Sequence, residues 1–134
     1  MHLERLLLNI CDEFKLKPYT QDQNNLFYLT ITPQDQIVLS ELDPVIYLSC
    51  PIMPIPETGN KEALFIYLMK ANLLGQGTGG GAIGIDVKEK FLTLSLSLPY
   101  EVNYKVFRES IEDFMNYLDF WREEIPRFQE KLLE

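Results

Sequence analysis

The stretch "LMKANLLGQGTGGGAIGID", residues 68–86, decides how the rest of the chain is read. Six glycines fall between Gly75 and Gly84 (Gly75, Gly77, Gly79, Gly80, Gly81, Gly84) and give two overlapping GxGxxG matches, Gly75-Gly77-Gly80 and Gly79-Gly81-Gly84. That pattern cradles a phosphate when a strand precedes it and a helix follows, because amides and helix dipole then converge on the anion. The order here is the reverse: a helical pattern leads in and a strand leads out. No Lys-Ser/Thr pair follows, so a P-loop is also excluded. The glycines read instead as a helix C-cap followed by turns that need positive φ or close backbone approach.

Upstream, "KEALFIYLMKANLL" (61–74) predicts a helix with Thr58 or Asn60 as N-cap and Gly75 as terminator. Its polar residues are Lys61, Glu62, Lys70 and Asn72. A helix apolar around most of its circumference needs cover on more than one side, and a small sheet covers one. The pattern therefore asks for a partner subunit, with Leu64, Phe65, Leu68, Ala71 and Leu74 as the dimer-interface candidates. Downstream, "AIGIDV" and "FLTLSLSLPY" form a hairpin around "KEK", with Leu92, Leu94, Leu96 and Leu98 alternating against Thr93, Ser95 and Ser97.

Toward the N-terminus, Leu3, Leu6, Leu7, Ile10 and Phe14 mark one face of a helix over 2–16, ending before Pro18. After a polar loop, "LFYLTIT" (26–32), "QIVLSEL" (36–42) and "VIYLSC" (45–50) read as three strands joined by tight turns. The prolines of "PIMPIPETGN" should end that ladder at a sheet margin. From Asn103 the period returns to 3.6, with Val106, Phe107, Ile111, Phe114, Met115, Leu118 and Trp121 as the buried stripe and a mostly acidic opposite face. Pro126 is expected to bend or end this helix, leaving 126–134 as a frayed or partner-dependent tail. The order α-β-β-β-α-β-β-α implies an α+β fold: one domain over 1–134, an antiparallel twisted sheet with helices packed on it.

Composition narrows the function classes. The chain has 134 residues, 46% of them hydrophobic, as expected of one folded domain. Twenty acidic against twelve basic side chains give a net charge of −8, which disfavours direct nucleic-acid or anionic-membrane binding. Charged residues interrupt the N-terminal apolar stripe, so neither a signal peptide nor a membrane span is expected and the cytosol is the simplest location. Cys11 and Cys50 stand far apart without a CxxC pattern and read as reduced, buried thiols. The one histidine is His2 at the terminus, so Ser-His, Cys-His and histidine-metal chemistry have no constellation to use. Neighbouring carboxylates such as Glu112 with Asp113 or Glu123 with Glu124 point in different directions on a helix and form a solvated face. No catalytic residue, metal or cofactor is expected.

The segment "LMKANLLGQGTGGGAIGIDVKEKFLTLSLSL" resembles the central signature of class I type III secretion chaperones, the Tir chaperone family. Ala71, Asn72, Leu73, Thr78, Gly79, Gly80, Ile83, Gly84, Ile85 and Asp86 occupy the signature positions; the extra Gly81 and Pro126 depart from the pattern. The resemblance implies a small acidic bacterial protein of the cytoplasm, without catalytic activity, that keeps the N-terminal segment of a secreted effector or gate protein partly unfolded. It implies a homodimer, or a heterodimer with a second chaperone, joined through the middle helix and an adjoining strand. Effector segments would lie in apolar grooves or add a strand to a sheet edge. The candidate strand residues are Leu26, Tyr28, Ile37, Leu39, Tyr47 and Ile52, with ordinary core as the competing role for each. A rival reading keeps the fold but makes it a regulatory domain, YbjN-like or binding a folded transcription component.

Overall fold

A computed structural model describes residues 2–42 and 44–133 of the chain. Its elements run α1 (His2–Glu13), β1 (Thr20–Gln21), β2 (Phe27–Thr32), β3 (Asp35–Leu42), β4 (Val45–Pro54), α2 (Lys61–Asn72), β5 (Ala82–Ile85), β6 (Phe91–Pro99) and α3 (Tyr104–Leu132). The strands form one antiparallel six-stranded sheet in the order β1-β2-β3-β4-β6-β5. The expected α+β class and helix positions are therefore present, with one strand more than the sequence pattern shows. β1 is that addition, a two-residue strand in the polar loop that pairs Thr20 and Gln21 with Tyr28 and Phe27.

Three boundaries differ from the sequence expectation, each for a local reason. α1 stops at Glu13 because Lys15 turns left-handed at φ 54°, which leaves Phe14 outside the helix and exposed rather than in the apolar stripe. β4 runs through Pro51 to Pro54, although three prolines were expected to end the ladder at that point. Its pairing with β3 finishes at Val38–Ser49, so Pro51 sits where β3 no longer requires an amide. The carbonyls of Pro51 and Ile52 instead accept bonds from the Arg122 guanidinium, both at 2.9 Å. α3 continues through Pro126 to Leu132, with Ile125 buried and Phe128 stacked on Tyr67 at 4.4 Å, so helix extends where a tail was expected.

Spatial proximity groups the chain into two compact units, Met1–Cys50 with Leu96–Glu112, and Pro51–Ser95 with Asp113–Glu134. In the first, α1 buries Leu3, Leu6, Leu7 and Ile10, β2–β4 bury Phe27, Leu29, Ile37, Leu39, Ile46 and Leu48, and α3 contributes Phe107 and Ile111. Each such side chain contributes about 1.5–3 kcal/mol on leaving water. Around this core the Glu13 carboxylate accepts from the Tyr104 hydroxyl at 2.7 Å and from Arg108 at 3.2 Å, tying α1 to α3. Burial, then the Glu13 carboxylate, pushes the Tyr104 phenol up to about 12.

In the second unit, α2 buries Leu64 and Leu68, β5 and β6 bury Ile83, Leu92 and Leu94, and α3 contributes Phe114, Leu118, Trp121 and Ile125. The buried stripe of α3 thus keeps the spacing read from sequence, except that Val106 is exposed and Met115 half-buried. Asn60 is the N-cap of α2, its side-chain oxygen accepting from the Ala63 amide at 3.0 Å. At the other side of α2 the Tyr67 hydroxyl donates to Glu124, and that carboxylate pushes the phenol up to about 12.

Candidate functional site

The glycine segment is the first place to test for a ligand, and the amides of Gly77, Gly80 and Gly81 are committed within the chain. Gly77 N donates to the Ala71 carbonyl at 2.9 Å, Gly80 N to Gly75 at 3.0 Å, and Gly81 N to Thr78 at 3.2 Å. The buried Thr78 hydroxyl donates to the Gly81 carbonyl at 2.6 Å, and Trp121 Nε1 donates to the Gly77 carbonyl at 2.9 Å. The glycines serve close approach: a Cβ on Gly81 would stand 2.1 Å from the Ser95 carbonyl oxygen. On Gly79, at φ +65°, it would stand 2.5 Å from the Tyr117 ring. The segment is packing machinery, not an anion cradle.

Other signature residues are equally structural. Asn72 accepts from the Ile83 amide at 2.7 Å and donates to the Ile83 carbonyl at 2.9 Å, so its side chain occupies the outer edge of β5 as a neighbouring strand would. This is one way a sheet closes an edge that would otherwise template pairing. Asp86 accepts from the amides of Lys90 and Phe91 at 2.7 and 3.0 Å and fixes the β5–β6 turn. Those bonds, the Phe91 amide first, hold its carboxyl below the usual carboxylate range. Ala71 is small because Gly77 packs on it, with only 2.9 Å from its Cβ to a Cβ placed at Gly77.

Two surfaces remain as candidates, one in each unit. In the second unit α2 touches β5, and Phe65, Leu68, Met69, Asn72, Ile83, Gly84, Ile85 and Leu92 line an apolar cleft of about 340 Å³. Of the residues expected at a dimer interface, Leu64 and Leu68 are buried within the chain itself, at 0% and 4% exposure, which corrects that expectation for these two. Phe65 and Ala71 are half-buried and Leu74 is 86% exposed. The pattern missed Met69, 70% exposed, because an all-apolar helix gives no sign of which side its own chain covers.

In the first unit the outer face of β2–β4 is open. The register places Tyr28 beside Val38 and Val38 beside Ser49, Ser40 beside Tyr47, and Leu42 beside Val45. Tyr47, Leu42 and Gln36 are exposed, the others half-buried, and no charged side chain stands among them. Tyr28 and Tyr47 thus lie on an accessible surface, and Leu26 is half-buried just before β2. Ile37, Leu39 and Ile52 do not: they are buried, because alternation sends them to the covered face. Val38 takes their place, legible only as the residue between Ile37 and Leu39. The Tyr28 hydroxyl donates to Asp22 at 2.9 Å, and Asp22 also accepts from the Leu26 and Asn24 amides, both at 2.9 Å.

Neither surface gathers catalytic chemistry. Among the described residues no cluster of histidine, cysteine, aspartate or glutamate could hold a metal ion, and no helix is long and apolar enough to cross a membrane. Burial pushes the Cys11 thiol up, away from the reactive thiolate. The uncharged face of β2–β4 in the first unit and the apolar α2–β5 cleft in the second are surfaces of the kind that suit a protein partner. The sequence model of the Tir chaperone protein (CesT) family matches residues 5–122, and the chain belongs to that family.

A Chlamydia pneumoniae protein designated CPj0713/CpB0740 is 26% identical over 121 residues, 89% of this chain and 92% of its own. Among solved structures, the ExsC–ExsE complex superposes with a TM-score of 0.75 at 18% identity, over 90% of this chain and 91% of that one. The HopA1–SchA chaperone–effector complex does so at 0.69 and 16%, over 91% and 94%. YbjN of E. coli, a putative transcription regulator, reaches 0.63 at 13%, over 93% and 92%. At these identities the structures share the fold, which is that of type III secretion chaperones and is not exclusive to them.

Proposed function

We propose that this chain is a non-enzymatic type III secretion chaperone of the bacterial cytoplasm. It binds the N-terminal segment of a secreted effector or gate protein in extended form and keeps it soluble and competent for export. It acts as a homodimer or as half of a heterodimer with a second chaperone. One observation carries the reading. In a chain with 24% charged residues, the outer face of β2–β4 is uncharged and uncovered, built from Tyr28, Val38, Tyr47, Leu42 and hydroxylated neighbours. An uncharged face of tyrosine, valine and leucine favours apolar and aromatic side chains of a segment laid across the strands. Serine, threonine and tyrosine hydroxyls on the same face offer hydrogen bonds to its backbone.

The test is affinity capture of the tagged protein from its native cell, with mass spectrometry and limited proteolysis of what accompanies it. The expected result is an exported protein protected near its N-terminus, released by Tyr47→Glu on the open face. Recovery of folded cytosolic proteins alone, such as transcription components, would instead favour a regulatory domain on this fold, which the likeness to YbjN supports.

A further inference from the structure

Just past the end of α1 the first unit holds cations without partners. Leu16 N donates to the Cys11 carbonyl at 2.9 Å and Cys11 Sγ to the Lys17 carbonyl at 3.4 Å, which closes the loop around Lys15 at φ 54°. Glycine is the usual residue at that left-handed position after a helix, and a lysine there is strained where glycine would not be. Lys15 and Lys17 line one pocket of about 180 Å³ together with Thr30, Ile31 and Thr32 of β2. Among the described residues neither lysine is ion-paired, and no carboxylate lines the pocket, although the chain carries a net charge of −8. Two cations in one pocket repel, and an anion between them replaces that repulsion with attraction.

The threonines complete a set of donors. Thr30 Oγ1 accepts from Gln36 Nε2 at 3.3 Å, and Thr32 Oγ1 accepts from the Gln34 and Asp35 amides at 3.3 and 3.1 Å. Each hydroxyl has a lone pair engaged, and its own hydrogen meets no acceptor among the described residues. Ile31 between them is skipped in the pairing with β3, a bulge of the kind that re-aims neighbouring side chains. Two ammonium groups and two hydroxyl hydrogens, with no side-chain acceptor beside them, suit a group that only accepts. Among peptide side chains that group is the carboxylate of aspartate or glutamate. The negative end of α1 accounts for a cation at Lys15, but not for Lys17 or the threonine donors. Lys15 and Leu16 also wall an adjoining cleft of about 400 Å³, lined by Leu8, Cys11, Pro18 and Tyr19, with Asp12 as the one acidic residue in its lining. A segment that lays an apolar side chain in this cleft carries its next residues past Lys15 into the donor pocket.

We infer that this pocket binds an aspartate or glutamate carboxylate of a client segment, bridged by Lys15 and Lys17, and so selects segments that carry an acidic residue beside an apolar one. The inference rests on the proposed binding of an extended segment and adds the charge which that segment carries. The probe is N-acetyl-leucyl-aspartyl amide, titrated into the ¹⁵N-labelled full chain beside its leucyl-asparaginyl and leucyl-lysyl counterparts. Amide shifts should centre on Lys15, Lys17, Ile31 and Thr32. The aspartyl probe should bind about tenfold more tightly than the asparaginyl one, and added salt should shrink that preference. The net charge of the chain repels an acidic probe, so a preference for aspartate reports the local cations.

Lys15→Glu combined with Lys17→Glu should keep the parent's circular dichroism, since both residues are exposed, and should invert the order so that the lysyl probe binds best. Lys17→Gln alone should reduce the aspartyl preference, and decides the matter if the double variant does not fold. Equal binding of the aspartyl and asparaginyl probes, shifts centred elsewhere, an aspartyl preference that survives these substitutions, or acetate alone giving the same shifts at the same affinity would each overturn the assignment. Capture from the native cell separates this site from the chaperone reading. An exported protein held as firmly by the folded lysine variants as by the parent would refute the pocket while leaving the chaperone function intact. An aspartyl preference in the parent without any exported client would keep the pocket and count against the role in secretion.

Discussion

Asn72 offers the sharpest test of how the signature segment works. Its side chain makes two hydrogen bonds to the backbone of one residue, Ile83, at 2.7 and 2.9 Å, and Ile83 is itself buried. Each such bond contributes about 0.5–1.5 kcal/mol net, and a buried amide or carbonyl left without a partner costs about 1–3 kcal/mol. Water reaches an outer strand edge, so the lower part of the combined range applies, and Asn72→Ala should cost about 2 kcal/mol. With a urea slope of about 1–3 kcal/mol per molar, the midpoint should fall by about 1 M at unchanged slope. Hydrogen exchange gives the residue-specific readout, because the Ile83 amide should lose its protection while amides facing β6 keep theirs.

Asn72→Asp separates the two bonds by pH. A carboxylate still accepts from the Ile83 amide but faces the Ile83 carbonyl with an oxygen that cannot donate. The folded state therefore binds a proton more readily than the unfolded one. Its deficit relative to the parent should be full at neutral pH and shrink as pH falls through the raised folded-state value. A cost for Asn72→Ala within about 0.5 kcal/mol, with unchanged Ile83 exchange, would refute the account of Asn72 as the closing neighbour of β5.

Leu68 is buried within the chain and Met69 is exposed, so a charge at each should act differently. Leu68→Glu should abolish folding or soluble expression, whereas Met69→Glu should keep the native circular dichroism and weaken self-association in sedimentation. Gly81→Ala should be strongly destabilising because its Cβ would meet the Ser95 carbonyl oxygen at 2.1 Å, while Gly84→Ala, with nothing within 4 Å, should leave the monomer's melting point unchanged. Asp22 is held below the usual carboxylate range by the Leu26 amide first, then by the Tyr28 hydroxyl and the Asn24 amide. Its contribution is present above the unfolded-state value and lost as pH falls through the folded one, so Asp22→Asn should be less stable than the parent at neutral pH and match it in acid.

The segments with an unambiguous period were legible from sequence. Phe107, Ile111, Phe114, Leu118 and Trp121 repeat at three and four and form the buried stripe of α3. The reversed order of helix, glycines and strand was sufficient to set aside a phosphate site, and the committed amides of Gly77, Gly80 and Gly81 supply the physical reason. Legibility failed where a pattern has two solutions of equal regularity. In "QIVLSEL" both Ile37 with Leu39 and Gln36 with Val38 are perfect alternations, and the choice of covered face depends on helices elsewhere in the chain. Alternation therefore leaves groove and core as competing roles for Ile37 and Leu39; their burial places them in the core and leaves Val38 on the accessible face.

The same degeneracy on α2 has a different consequence. An apolar circumference states that cover is required all round, and the fold then shows which part of that requirement its own chain meets: Leu64 and Leu68 are covered, while Ile66, Met69, Leu73 and Leu74 are not. The uncovered remainder is adjacent to the neutral stretch of an otherwise acidic protein and includes a leucine whose backbone angle disfavours its side chain. Solvent exposure alone gives no reason for a leucine rather than a glycine at Leu74, since glycine would be the more stable choice there. Hydrophobicity and backbone strain at this corner are features that the folding of the single chain does not account for.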